Sequence, residues 1–572
     1  MPLFYPGLRT EYSERILKRE FMTIAGERER SQTTSTLPQK LLTLAGALVI
    51  TLVAVVISLH PFLEPDIFWQ LRVGHGIVAT GRPPHHETYS WDRYGARWSV
   101  SEWLGFVGYY EAYRHLGGFA GLLDLRILLN VAAFLLQFAI LRRLTKSTVV
   151  AFLIVIAAET ASANFFQTRP YQFTFVLSTL FAYLVARVRS GELRPQWLLA
   201  TGALTVVWAN LHQGFILEII ILLTYTAVDI AVGPGCLARG AKGGTSTAFN
   251  RARWSLASTL TVVIGSLVSP YGVEPYGMIA HTIFSPISRF IIEWMPLSLS
   301  WSIEIAGLAS VAVAIAPALT LSKKRDFGTI AVIAGLAVES LLHQRNVPLF
   351  ALMAPILAAP QIGDAIARVR DLPEASTDRL RRLAYLVAIA TATWNVILWT
   401  STAQSEVAIV KADKNATGRF WEDLGDFTQS LHAEPEDAAA FMQANGFPSK
   451  NLRLFNDLGS GGYFLWRMPT FKVFIDSRND PYMGGVLENY YAAITSPTGQ
   501  GISQALSRYD FDGAVTHNPA IQRYFAAQPG WVCVYTPSTQ NGTWIDLRRS
   551  PRTNSLIEVC LNRVRGPKAS VK

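Results

Sequence analysis

The chain has 572 residues, 50% of them hydrophobic and only 16% charged, against about 25% charged in a typical soluble domain, and its mean hydropathy is positive. This composition excludes an ordinary soluble enzyme and a disordered chain, and three cysteines exclude a disulfide-built scaffold. The formal charge of +10 is read against membrane topology, and since no nucleic-acid-binding motif accompanies it, no nucleic acid partner is expected.

Residues 1–40 are polar, carry both charge signs and lack a small-residue cleavage site, which fits a cytoplasmic segment ahead of a retained signal-anchor helix. The next part of the chain, 41–402, holds about eleven apolar runs near the ~20-residue length that spans a bilayer: 41–60, 119–141, 148–165, 170–188, 195–211, 213–232, 255–270, 301–320, 327–343, 347–362 and 383–401. Lys and Arg in short loops mark the cytoplasmic side. Starting inside with Arg15, Lys18 and Arg19, the alternation places Arg142, Arg143 and Lys146 inside, then Arg187, Arg189 and Arg194. Arg239, Lys242, Arg251 and Arg253 follow, then Lys323, Lys324 and Arg325, and lastly Arg368 to Arg382. The expectation is an α-helical polytopic membrane protein whose residues 403–572 lie outside.

Two longer outer loops, about 61–118 and 271–300, separate these runs. In the first, Phe68–Thr80 and Glu102–Leu116 mix aromatics with charges, as interface-lying helices do. From about 432 the chain reads as a small α/β domain. Leu452–Phe455, Tyr463–Trp466, Phe471–Ile475, Gly513–Thr516, Val532–Tyr535 and Thr543–Leu547 are strand-like, and Ala438–Asn445, Tyr490–Ala493 and Ile521–Ala527 are helical. Gly459-Ser460-Gly461-Gly462 reads as a glycine-rich turn without the Lys of a phosphate loop. Cys533 and Cys560 share this domain and either pair or remain two thiols.

Candidate reactive groups gather on the outer face. Asp66 and Glu102 bracket the first outer loop, where two carboxylates serve as general base and as metal ligand or orienting group, or remain solvated acids. Arg169, His212 and Arg345 sit in short turns between apolar runs, where cations suit an anionic head group or anchor their helices. In the outer domain Asp476, Arg478 and Asp480 either close over the membrane site or form a salt-bridged turn. His75, His85, His86 and Glu87 lack any metal-ligand spacing and read as loop surface, while Asp124 and Arg126 read as a structural polar pair or as loop-edge residues.

The run Asp66-Ile67-Phe68-Trp69-Gln70-Leu71-Arg72-Val73-Gly74 resembles the Asp-x-Trp-Trp-His-Leu-x-x-Gly signature of bacterial multi-spanning proteins of, or near, the GT-C superfamily of membrane glycosyltransferases. Ser101-Glu102-Trp103-Leu104 resembles their His-Glu-Trp-Leu segment. Trp208 through Phe215, Ser269 through Gly272, Glu293 through Pro296, His343 through Pro348, Phe455 through Tyr463 and Phe474 through Asp480 extend the likeness over most of residues 60–550. The resemblance implies a GT-C-like fold in the bacterial inner membrane with a periplasmic C-terminal domain. It also implies a polyprenyl-phosphate-linked sugar donor and an extracytoplasmic glycan, lipid or protein acceptor. By this likeness Asp66 is the base of an inverting transfer, Glu102 a second acid, and Arg169, His212 and Arg345 hold the donor phosphate. Gln70 and Ser101 replace two histidines of the pattern, which bears on any magnesium or manganese site built there. A lipid or solute transporter and a non-catalytic scaffold are the rival readings.

Overall fold

The computed structural model describes residues 36–59, 65–238, 244–284, 291–298, 302–323, 325–371, 435–447, 452–537 and 542–558. Among them, seven helices are long and apolar enough to cross a membrane: Gln39–Ser58, Phe119–Thr145, Thr148–Phe165, Tyr171–Arg189, Gln213–Gly233, Glu304–Leu321 and Gln344–Arg370. The chain is a multi-pass membrane protein. Three further expected spans differ. Ala200–Leu211 and Phe327–Leu342 are helical but shorter than a bilayer, and Gly244–Ser266 dilutes its apolar run with Arg251 and Arg253. The run 383–401 lies outside the described residues.

The bundle core is built from long apolar side chains, with Phe134, Phe166, Phe175 and Phe181 fully buried. Some polar groups inside it are met by backbone carbonyls and others by side chains, as in the Asn130 amide that donates to Ser58 Oγ at 3.0 Å. Gln137 Nε2, for example, donates to the Ala351 carbonyl at 2.8 Å. Asp124 lies exposed while Arg126 is buried, so the two occupy different faces of one helix.

Residues 65–118 leave the bundle and join the C-terminal domain. Asp66–Thr80 (α1) and Trp103–His115 (α2) are helices, as the aromatic-rich pattern predicts. One face of each packs into the C-terminal domain's core. Ile67, Phe68, Leu71 and Val73 of α1 share one hydrophobic core with Tyr463, Phe464 and Leu465. Phe68 meets Phe119 and Tyr463 edge-on at 5.9 and 5.1 Å, contacts of about 0.5–1.5 kcal/mol each beyond area burial. α1 ends where Gly81 adopts φ 69° and its N–H caps the Ile77 carbonyl, a left-handed conformation that glycine takes without steric cost.

The C-terminal domain holds a four-stranded sheet of order β1-β2-β4-β3: Leu454–Asn456 (β1), Gly513–Thr516 (β2), Trp531–Tyr535 (β3) and Trp544–Arg548 (β4). β1 and β2 are parallel and the other pairs antiparallel. Two expected strands are absent from it. Tyr463–Trp466 belongs to the helix Leu458–Arg467 (α3), whose buried Tyr463, Phe464 and Leu465 pack on α1. Phe471–Ile475 only bridges the segment before α2, with the Val473 N–H donating to the Tyr89 carbonyl at 3.0 Å. A short helix, Gly499–Leu506, was not foreseen. Cys533 is an exposed free thiol, and Cys560 lies outside the described residues.

The glycine run 459–462 lies inside α3 because close approach requires it. A Cβ on Gly461 would stand 2.1 Å from the Ile475 carbonyl oxygen, and one on Gly462 would stand 2.9 Å from that of Pro65. Gly461→Ala is therefore expected to lower stability by about 1–3 kcal/mol, read as a depressed thermal midpoint of the purified protein. An unchanged midpoint would refute this packing.

Candidate functional site

Asp66 opens α1, where a carboxylate faces the positive end of the helix dipole. One turn on, the Trp69 indole N–H donates to Asp66 Oδ1 at 3.2 Å and to Ser477 Oγ of the C-terminal domain at 3.1 Å. Asp66 Oδ2 stands 3.0 Å from Arg169 Nη2, and Arg169 Nη1 ion-pairs with Glu293. The turn that presents Arg169 is held by Tyr109, whose hydroxyl donates to the Arg169 carbonyl at 2.6 Å. Burial pushes Glu293 upward, but Arg169 and then Arg345 outweigh it and hold the carboxyl below its usual range.

Glu102, the residue preceding α2, faces His212 across the same end of the bundle. The ring's tautomer follows from its neighbours. The Trp208 indole donates to Thr174 Oγ1 at 2.9 Å, which leaves the Thr174 hydroxyl proton free to go to His212 Nδ1 at 2.8 Å. The Gly214 N–H also donates to Nδ1, at 3.0 Å. Nδ1 is the acceptor, and Nε2 carries the proton that points to Glu102 Oε1 at 3.3 Å. Burial, aided by Arg345, holds His212 down to about 3, so its ring is neutral and offers an N–H rather than a positive charge. Burial pushes the Glu102 carboxyl up to about 8, opposed by Arg345 and assisted by Asp480 and Asp66.

The two shifts give opposite pH dependences. Glu102 is raised, so the stability it contributes is complete below its ordinary value of 4.5 and is lost as pH rises through about 8. His212 is lowered, so its contribution is present above 6.5 and is lost as pH falls toward 3. Between pH 6.5 and 8 only Glu102 of this pair acts. Over that window the thermal midpoint of Glu102→Gln should fall less steeply than that of the wild type; parallel profiles would contradict the burial of Glu102.

Arg345 lies in the turn Gln344–Asn346. Its carbonyl accepts from the Tyr171 hydroxyl, and its guanidinium lies 4.7 Å over the Trp294 ring. Among the described residues no carboxylate stands within ion-pair distance of it. Arg169 is neutralised by two acids and His212 is uncharged, so Arg345 supplies the positive charge here that carries no carboxylate of its own.

Asp66, Glu102, Arg169, His212, Arg345 and Asp480 thus converge, Asp480 through the field it exerts on Glu102. Asp476 and Arg478 do not line this cleft. Both are fully buried, with Arg478 Nη1 2.6 Å from Glu87 Oε2 and Nη2 2.6 Å from Asp476 Oδ2. Glu87 is therefore an interior ion partner and not a loop-surface group. Glu293 is the main addition. Its signal is a lone acid beside Trp294 in the otherwise apolar stretch 290–297.

Among the described residues no group of three or more His, Cys, Asp or Glu side chains is disposed to hold a metal ion. The acids are otherwise engaged: Asp66 and Glu293 on Arg169, Glu102 with His212 and the Gln213 backbone N–H. This arrangement does not offer the convergent oxygens that magnesium or manganese takes.

No protein-family model matches the chain, and no curated protein does. Among solved structures it is similar to the oligosaccharyltransferase of Archaeoglobus fulgidus in the apo form, with 12% identity and a TM-score of 0.48 over 83% of this chain and 69% of that one.

Proposed function

We propose that this protein is a GT-C-type membrane glycosyltransferase that moves a sugar from a polyprenyl-phosphate donor to an extracytoplasmic glycan, lipid or protein acceptor. The observation that carries the reading is the meeting of Asp66 and Glu102 with Arg169, His212 and Arg345, brought from four separate segments to one end of the bundle beneath the C-terminal domain. In this reading Asp66 accepts the acceptor hydroxyl proton as the acceptor oxygen attacks the anomeric carbon. The bond from that carbon to the phosphate oxygen breaks, and polyprenyl phosphate departs with the electron pair. Arg345 stabilises the charge that develops on it, since a preorganised cation acts most strongly where water is excluded. Glu102, kept in place by the neutral His212 N–H, orients the acceptor. The positive-inside alternation supports an inner-membrane protein with this face in the periplasm.

The test is release of polyprenyl phosphate from a polyprenyl-phosphate sugar by membranes carrying the full chain, compared between wild type and Asp66→Asn. Equal surface glycans and equal donor turnover at equal protein level would instead favour a scaffold in which the Asp66–Arg169 pair is only a brace.

A further inference from the structure

A second pocket lies away from the Asp66 cleft. Between α1, α2 and the end of α3 opens a cavity of about 550 Å³ lined by Arg72, His75, Tyr110, Tyr113, Arg114 and Trp466. Among the described residues no Asp or Glu lines it. His75 follows Asp66 by nine residues, which on a helix is half a turn around and about 13 Å along the axis, so the two sites face different directions.

The polar groups here are donors. Arg72 Nη2 donates to the Pro469 carbonyl at 3.1 Å and Nη1 to His75 Nδ1 at 3.2 Å. Accepting at Nδ1 leaves the His75 proton on Nε2. Arg72 Nε is buried and meets no acceptor among the described residues. An orphaned guanidinium N–H is costly unless something accepts from it. Arg114 is exposed and engages no acid among the described residues. Burial, then Arg72 and Arg114, depress the basicity of His75, as a positive local field requires. The aromatic wall is ordered, with Tyr113 edge-on to Trp466 at 5.2 Å and Tyr110 against His75 at 5.2 Å.

We propose that this cavity binds a phosphate-bearing ligand, with Arg72, His75 and Arg114 holding the phosphate oxygens and Tyr110, Tyr113 and Trp466 packing the adjoining part. Arginine forks match phosphate geometry, and all three basic residues line one space. Gly118 borders the cavity and directly precedes the membrane-length helix Phe119–Thr145, and the neighbouring Leu116 is 56% exposed. This places the pocket at the level where lipid head groups lie. The ligand is either the head group of an anionic lipid or a soluble phosphate ester.

The experiment uses the full chain in detergent. One arm titrates phosphatidylglycerol against phosphatidylcholine and counts bound lipid by native mass spectrometry. The other follows the thermal midpoint with sn-glycerol 3-phosphate. Arg114→Gln is the main variant, because its exposed side chain leaves folding intact; the double variant Arg72→Gln with Arg114→Gln is the second. Preferential phosphatidylglycerol binding weakened about tenfold or more by Arg114→Gln, without a glycerol phosphate effect, assigns the site to lipid. A glycerol phosphate effect lost in the same variant assigns it to a soluble ester. The proposal is overturned if neither probe binds, or if binding is unchanged in both variants while they melt like the wild type.

Discussion

Asp66→Asn should lower donor turnover by about 10²–10⁴-fold, the range over which a positioned base contributes, while the protein accumulates normally. The substitution keeps the size of the side chain and its hydrogen bond from Trp69, so the loss would report the missing negative charge. Its structural cost is small for the same reason: Arg169 retains Glu293 as partner. Arg345→Gln should act differently. That guanidinium is stacked on Trp294 and holds no acid among the described residues, so its loss should slow departure of the phosphate and weaken donor binding together. Both effects are read from polyprenyl phosphate release across donor concentrations. If Asp66→Asn turns over donor at the wild-type rate, the assigned base is wrong.

Arg478→Ala is expected to be the most damaging single change to stability, at about 3–5 kcal/mol. Its guanidinium is buried between Glu87 and Asp476, donates to the Tyr482 hydroxyl at 2.9 Å, and lies 4.7 Å over the Trp98 ring. Removing it leaves two carboxylates without compensation in a dry interior. Glu87 is further fixed by accepting the Ser90 N–H at 2.8 Å, so it cannot swing out to water. The loop 82–101 should then come away from the C-terminal domain and become susceptible to protease. Arg478→Lys should be intermediate, since it keeps the charge and loses the paired geometry. A thermal midpoint within a degree of the wild type for Arg478→Ala would refute the network.

Much of this site could be read from residue order. Asp66, Glu102, Arg169, His212 and Arg345 are ionisable groups next to apolar runs, where burial is expensive enough to make each one conspicuous. What each does was not readable. Arg169 and His212 looked alike as cations, yet Arg169 is shared by two acids and His212 is held neutral by burial and by two donors to Nδ1. Asp476, Arg478 and Asp480 stood two apart as one acidic–basic motif. Of the three, only Asp480 acts on the cleft, through its charge on Glu102, because the buried pair turns inward to Glu87, 391 residues away in the chain. Tyr463–Trp466 had β-type composition, but the glycines before it let a helix lie against Pro65 and Trp69.

The sequence by itself determined the membrane class, the helical bundle and the end of it that gathers reactive groups. Hydrophobic length and charge asymmetry are local quantities, summed over neighbouring residues. Tertiary structure alone decided the protonation of His212 and Glu102, the partners of Arg169, and the fusion of residues 65–118 with the C-terminal domain into one core. Each of these depends on desolvation and on contacts between residues tens to hundreds of positions apart. Such energies appear only when folding brings the groups within a few ångströms of one another.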